Sequence, residues 1–244
     1  MESKILLVAG ILLISSCTSQ AQINRTKLGK VLEKVTTPTG GLSESEIANG
    51  LKEALRVGIS NGSAEASKTD GYFKNEYIKI LFPPDARRVE QRLRQIGLGN
   101  EVDRFILSLN RAAEDAAKKS KPIFISAITS MTITDAVGIL RGADTSATSY
   151  LRRTTNDQLY NAFFPVVDST LNLNEATRYY ADLVNTYNRL PMVQKVNPDL
   201  KQYATQKAID GLFVLIAEEE KKIRRDPAAR VNDILRRVFG QAGQ

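Results

Sequence analysis

Gly58, Ser60 and Gly62 spell the Gly-x-Ser-x-Gly pattern of a nucleophile elbow. That chemistry needs a serine on a strained strand-to-helix turn, a histidine to take its proton and an acid to orient the histidine. The chain contains no histidine. The segment also follows a helical pattern, so it reads as a helix C-terminus whose glycines can take positive φ. The same absence removes the commonest general base and metal ligand. No Ser-x-x-Lys pattern occurs, which disfavours a serine–lysine nucleophile. Carboxylate chemistry remains. Glu114, Asp135, Asp144 and Asp210 stand among apolar or small residues, and paired carboxylates can share acid–base work. For Asp135 and Asp144 a helix cap is the better reading. Two polar patches accompany them: Asn110 and Arg111 beside Glu114, and Tyr150 with Arg152 and Arg153. Arg111 and Glu114 are three apart and can pair. Arg152 and Arg153 either hold an anionic group or bury against Asp135 or Glu114. One reading makes these residues a polar network in a helical core. The other brings Glu114 and Asp210, with Arg111 or Arg152, to one open pocket as a carboxylate-dependent enzyme. Asp168, Thr170, Asn172 and Asn174 alternate like a calcium loop, but Leu173 replaces the required glycine and Tyr179 the bidentate glutamate. That stretch reads as a helix–helix connection. No catalytic set, metal motif or cofactor motif is complete.

The elements that must position these residues are helical. Ser43 with Glu46 makes a capping box before Ile47, Leu51, Ala54 and Leu55. That helix ends near Gly58 to Gly62 or frays on to Ser67. Asp70-Gly71 is a turn. Residues 72–82 are the one extended-looking stretch, with Ile78, Ile80 and Phe82 alternating with Lys79 and Leu81. Pro83-Pro84 stops it and a helix starts at Asp85, ended by Gly97-Leu98-Gly99. From Asn100 to Lys119, Val102, Phe105, Ile106, Leu109, Ala113 and Ala116 share a face. Shorter pieces follow at Pro122 to Ser130, Thr134 to Leu140 and Ser146 to Arg153. Asn156 to Leu171 is a longer helix, kinked or split at Pro165. Asn174 to Leu190 stops at Pro191. Asn197-Pro198 and Asp226-Pro227 each place a capping residue before proline, starting helices Asp199 to Arg225 and Ala228 to Phe239. In the first of these, Glu218 with Lys222 and Glu220 with Arg224 read as solvated i,i+4 pairs. The fold class is therefore mainly α: a single domain of roughly nine or ten helices over residues 42–240, with at most one short β element.

The N-terminus bears on location. Lys4 precedes an apolar run from Ile5 to Ile14, too short for a bilayer core that takes about 20 residues and suited to a signal-peptide core. Cys17, the one cysteine, follows Ile14-Ser15-Ser16. This resembles the lipobox of bacterial lipoproteins, in which the cysteine is lipidated and becomes the first residue after cleavage. Residues 1–16 are then a signal peptide and 17–41 a lipidated tether, with a short helical pattern from Ile23 to Val35 broken by Pro38, Gly40 and Gly41. The alternative is cleavage after Ser19-Gln20-Ala21, which releases a soluble periplasmic protein. Thr18 and Ser19 place no aspartate after the cysteine, which resembles an outer-membrane sorting signal. The net charge is +7, with a basic C-terminal stretch that includes Lys221, Lys222, Arg224, Arg225, Arg230, Arg236 and Arg237. Such a balance suits solubility or an anionic partner, lipid or acidic polymer. Export disfavours nucleic acid.

Several stretches together resemble one bacterial family, domain of unknown function 4197. They are Gly71-Tyr72-Phe73 with Asn75; Asn110 to Glu114; Thr134-Asp135-Ala136 with Gly138-Ile139-Leu140 and Gly142; Ala147-Thr148 with Tyr150-Leu151; Tyr187-Asn188 with Leu190-Pro191; Ala208 with Asp210-Gly211-Leu212-Phe213; and Val238-Phe239-Gly240. The resemblance implies an exported, mostly helical protein of Gram-negative bacteria and carries no assigned activity or catalytic residue. Together with the missing catalytic sets, it makes a non-enzymatic envelope module the first expectation: a membrane partner through the lipid, and an unknown ligand or envelope protein.

Overall fold

The computed structural model describes residues 43–173, 175–189, 191–192, 194–226 and 236–239. Cys17, the Ile23–Val35 pattern and most of the expected final helix lie outside the described residues. Leu42–Gln244 is one compact unit. Among the described residues it contains eight α-helices, one 3-10 turn and no strand. The helices are α1 Glu44–Ser67, α2 Arg87–Gln95, α3 Gly99–Ala117, α4 Ser120–Ser130, α5 Ile133–Arg141, α6 Ser146–Asn172, α7 Glu175–Asn188 and α8 Leu200–Arg225; the 3-10 turn Pro84–Ala86 leads into α2. No single described helix is long and apolar enough to cross a membrane.

Helix α8 packs against α1, α6 and α3, and α3 also packs against α6. Helices α4 and α5 close over α1 and α6, while α2 and α7 flank α3. Each stripe has the spacing of one helix face. Along α6, Leu151, Leu159, Phe163, Val167 and Leu171 are fully buried, each worth about 1.5–3 kcal/mol. On α3 the whole expected face from Val102 to Ala116 is buried. Its alanine end lets other helices approach closely.

Local signals explain most ends. Ser43 Oγ accepts the Glu46 amide and Glu46 returns the bond to the Ser43 amide, at 3.2 and 2.9 Å. Thr132 and Asp135 repeat this box at the start of α5. Gly97, at φ +88°, ends α2: its amide bonds Arg94 O and the Leu98 amide bonds Leu93 O. This is the Schellman arrangement, which needs the left-handed conformation that glycine adopts freely.

Five expectations are corrected. Of the two ends expected for α1 the later one, Ser67, is found, so the reading of Gly58 and Gly62 as a helix C-terminus fails; both are buried where α1 crosses α8. A Cβ on Gly62 would lie 3.3 Å from Ile216 and 3.6 Å from the α8 backbone. Residues 146–153 and 156–171 are one helix, α6, continuous through Pro165. Pro165 and Asn161, whose carbonyl it leaves without a donor, are both exposed, so water can serve that carbonyl. Asp168, Thr170 and Asn172 belong to α6 and are not a connection; Asn174 lies outside the described residues. Helix α8 is capped by Asp199, which accepts the Lys201 amide, and Asn197 instead bonds the Asp199 amide. Asp144 is no cap: it takes Arg225 in an ion pair.

Residues 72–82 form turns and an extended run. The alternation holds in burial: Ile78, Ile80 and Phe82 are buried and Leu81 is exposed. Phe82 packs edge-on to Phe105 at 4.9 Å, and Phe105 stacks on Tyr180 at 5.8 Å. What the run lacks is a neighbouring strand; a side chain of α3 takes that place.

Candidate functional site

Asn110 and Glu114 are four apart on α3, so both point to the segment between α1 and α2. Asn110 is fully buried. Its Oδ1 accepts the Ile80 amide at 2.8 Å, and its Nδ2 donates to Ile80 O at 2.9 Å and to Ile106 O at 2.7 Å. One amide side chain thus makes both bonds that a paired strand would make. Glu114 Oε1 accepts the amides of Tyr72 and Phe73 at 3.2 and 3.3 Å. Its Oε2 accepts from Arg111 at 2.5 Å, and Arg111 also reaches Asp70 at 2.6 Å. The expected Arg111–Glu114 pair exists, and its role is to hold the Asp70–Phe73 backbone onto α3.

Tyr72 sits between this clamp and α8. Its hydroxyl donates to Ala208 O at 2.6 Å. Gly211 makes the room: a Cβ there would stand 2.7 Å from the Tyr72 ring. Burial pushes the phenol pKa well above its usual range, and Glu114 and Asp210 push it further. Both carboxylates therefore lie near Tyr72, each with its own arginine. Asp210 accepts from Arg152 at 2.9 Å and from Gln206 at 3.2 Å, and the Arg152 guanidinium lies 4.4 Å from the Phe213 ring centroid. Arg152 is bound neither to Asp135 nor to Glu114, which corrects that part of the expectation.

Asp135, Tyr150 and Arg153 form a separate surface patch on α5 and α6. Arg153 lies 5.6 Å from the Tyr150 ring. Hydrogen bonds to Thr132 hold the Asp135 carboxyl below its usual range, with a smaller contribution from Arg153. The eight expected polar residues thus fall into three places: a buried clamp of Asn110, Arg111 and Glu114; a half-exposed Arg152–Asp210 pair; and the Asp135–Tyr150–Arg153 patch.

A fourth polar centre was not expected. Glu220 accepts the Ala147 amide at 3.0 Å, the Thr148 amide at 2.8 Å and the Thr148 hydroxyl at 2.7 Å, so it caps the first turn of α6. Arg224 donates to Glu220 at 3.0 Å and to the carbonyls of Leu140 and Ile139 at 3.2 and 2.8 Å, closing the end of α5. Their side chains are 5% and 11% exposed. The Glu220–Arg224 pair is therefore internal, correcting its reading as a solvated pair. The available signal was its place on the stripe: four after Ile216 and three before Ile223.

Two grooves open elsewhere. One, of about 500 Å³, lies between the end of α6, helix α7 and the start of α8, with Leu171, Ala181, Pro198 and Leu200 as apolar walls and Arg178 and Lys201 at its edge. Lys201 pairs with Asp168. The other, of about 650 Å³, lies over Glu65–Tyr77 and includes Asp70. Neither is lined by Glu114, Arg152 or Asp210. Among the described residues no group of three metal-binding side chains occurs.

Asp70 gives the clamp a pH dependence. Lys74 and then Arg111 hold its carboxyl below the usual range. A depressed folded-state pKa contributes stability above the unfolded value, about 3.9, and that contribution is lost as pH falls through the folded value. Asp70 has φ +66°, which asparagine tolerates. Asp70→Asn should therefore lower the thermal midpoint at neutral pH and flatten its fall below about pH 4. A midpoint curve for the variant parallel to wild type through that window would refute the assignment.

No curated protein and no solved structure matches the chain. A sequence-family model described as "Protein of unknown function (DUF4197)" matches residues 41–240, so the chain belongs to that family, as the distributed motifs from Gly71 to Phe239 suggested.

Proposed function

We propose that the chain is an exported lipoprotein, held at the cell envelope through Cys17, whose helical domain binds a ligand without transforming it. Outer-membrane attachment facing the periplasm is the finer form of this proposal. The carrying observation is where the polar groups go. Glu114, Glu220 and Asn110, the buried side chains best suited to chemistry, bond backbone amides and carbonyls of neighbouring segments. Their place is structural, which supports a scaffold over a carboxylate-dependent enzyme. The apolar-walled groove between α6, α7 and α8 then serves as the ligand site, since such grooves bury small molecules with few polar contacts. With Lys201 paired to Asp168 and Asp199 also lining the groove, Arg178 is the cation left to meet a polar or acidic group on that ligand.

Native mass spectrometry of the protein purified from bacterial envelopes tests both halves. The expected mass starts at an acylated Cys17 and carries a small adduct that Ala181→Trp, filling the groove, removes. An intact Met1, or a start after Ala21, would sink the anchor. An adduct unchanged in the variant would sink the groove.

A further inference from the structure

The turn between α2 and α3 is built unlike the rest of the surface. Arg88, Arg92 and Ile96 are spaced by four and share one exposed line along α2. The Schellman turn at Gly97 then folds the chain back so that Ile96 and Leu98 project together at its tip, 56% and 40% exposed. The surrounding charges are sorted. Arg94 bridges Glu90 and Asp103, at 3.1 and 2.8 Å, and Arg104 pairs with Glu101 at 3.0 Å. Asp85 lies at the other end of α2 from the tip, in the Pro84–Ala86 turn, and makes no ion pair among the described residues. Glu90, Glu101 and Asp103 each have an arginine partner, Arg94 being shared by two of them, while Arg88 makes no ion pair among the described residues and Arg92 bonds only the neutral Gln95, at 3.3 Å. Two guanidinium groups without an ion-pair partner among the described residues stand behind two apolar side chains, on a stretch, residues 85–104, whose five arginines exceed its four carboxylates.

We infer that this tip docks on an anionic bilayer surface, Ile96 and Leu98 entering the acyl boundary while Arg88 and Arg92 hold lipid phosphates. The order of groups matches the order of layers. Apolar side chains of interfacial helices sit about 5–10 Å into the headgroup boundary, and arginines one and two turns behind reach the phosphate level along their aliphatic stems. Guanidinium groups suit phosphate because of their planar fork of donors. The inference rests on the envelope reading: the contact is weak but measurable on its own, and a chain held near a membrane makes it persistent, because a tethered second contact acts at high effective concentration.

The test is sedimentation with vesicles. It uses the chain from residue 17 onward with Cys17→Ser, so that neither the Ile5–Ile14 run nor an acyl chain contributes. Wild type in this background should bind vesicles containing phosphatidylglycerol, bind less as salt rises, and ignore pure phosphatidylcholine. Arg88→Gln with Arg92→Gln should weaken partitioning roughly 25–30-fold, from about a fivefold effect per charge near an anionic surface. Ile96→Ser with Leu98→Ser should weaken it at least about tenfold. All four side chains are exposed, and unchanged circular dichroism and thermal midpoints would confirm intact folding. The proposal is overturned if the wild-type chain ignores anionic vesicles, or if the Ile96 and Leu98 variant binds them as wild type does. It is also overturned if the arginine variant loses a soluble polyanion and vesicles equally while the apolar variant loses neither, which marks a polymer site. Failure here leaves the Cys17 mass measurement untouched, so the two readings fall separately.

Discussion

Glu220→Ala should lower the unfolding free energy by about 3–5 kcal/mol, the cost of leaving one partner of a buried ion pair alone. The loss compounds three effects. The Ala147 and Thr148 amides, orphans at the start of α6, lose the side-chain acceptor that caps them. The Thr148 hydroxyl loses its partner. Arg224 keeps its contacts to Ile139 and Leu140 but loses the Glu220 carboxylate it holds at 3.0 Å. Glu220→Gln should recover part of the loss, because an amide oxygen still accepts from the α6 amides while the charge is gone. Glu218→Ala, at an exposed position of the same helix, should stay within about 0.5 kcal/mol of wild type. Urea midpoints at constant slope measure all three. A Glu220→Ala midpoint equal to that of Glu218→Ala would remove the capping role.

Asn110→Ala should cost about 2–6 kcal/mol, since it leaves the amide and the carbonyl of Ile80 buried without partners, at about 1–3 kcal/mol each. The effect should also be local. The Ile80 amide, sealed in wild type, should exchange its hydrogen much faster in the variant, even under conditions where the α6 and α8 amides remain protected. Uniform loss of protection across all helices would mean that residues 72–82 and the bundle open as one unit. Unchanged Ile80 exchange would show that another group takes over the role of Asn110.

The same residues show what sequence could and could not convey. The α3 face, the Ser43 box and the Gly97 stop are local patterns, and each appears as expected; Asp135 does serve a cap, but in a box with Thr132, ahead of the expected start at Thr134. The failures are tertiary. Glycine lowers helix propensity by about 1 kcal/mol, so Gly58 and Gly62 looked like an ending. Contact with Ile216 and Ile223 offsets that penalty, and these partners are remote in sequence. Residues 146–153 and 156–171 looked separate because Thr154 and Thr155 are β-branched. Thr155 is buried and bonds back to Leu151 O at 2.7 Å, so the helix runs through. The alternation at Ile78, Ile80 and Phe82 announced a half-buried extended segment correctly. It could not announce that Asn110, thirty positions away, would supply the missing ladder. The Arg111–Glu114 pair was legible from spacing alone. That Glu114 also grips Tyr72 and Phe73 was not, since backbone amides carry no sequence identity. Glu220 was misjudged because pairing rules describe helix surfaces and do not ask which face the pair occupies.

Helix α8 has a consequence for the order of events in time. It is the last long element among the described residues, about 39 Å at about 1.5 Å per residue, and it supplies Gly211 to the Tyr72 seat, Glu220 to α6 and Arg224 to α5. Asn61 of α1 reaches Glu219 across 158 positions. A polypeptide delivered N-terminus first must therefore wait, with the inner faces of α1, α3 and α6 uncovered, until its final quarter arrives. Closure is then a single late step, slow because the contacts it makes are distant in sequence. Until that moment the faces of the early helices that α8 covers are exposed to aggregation and to proteases.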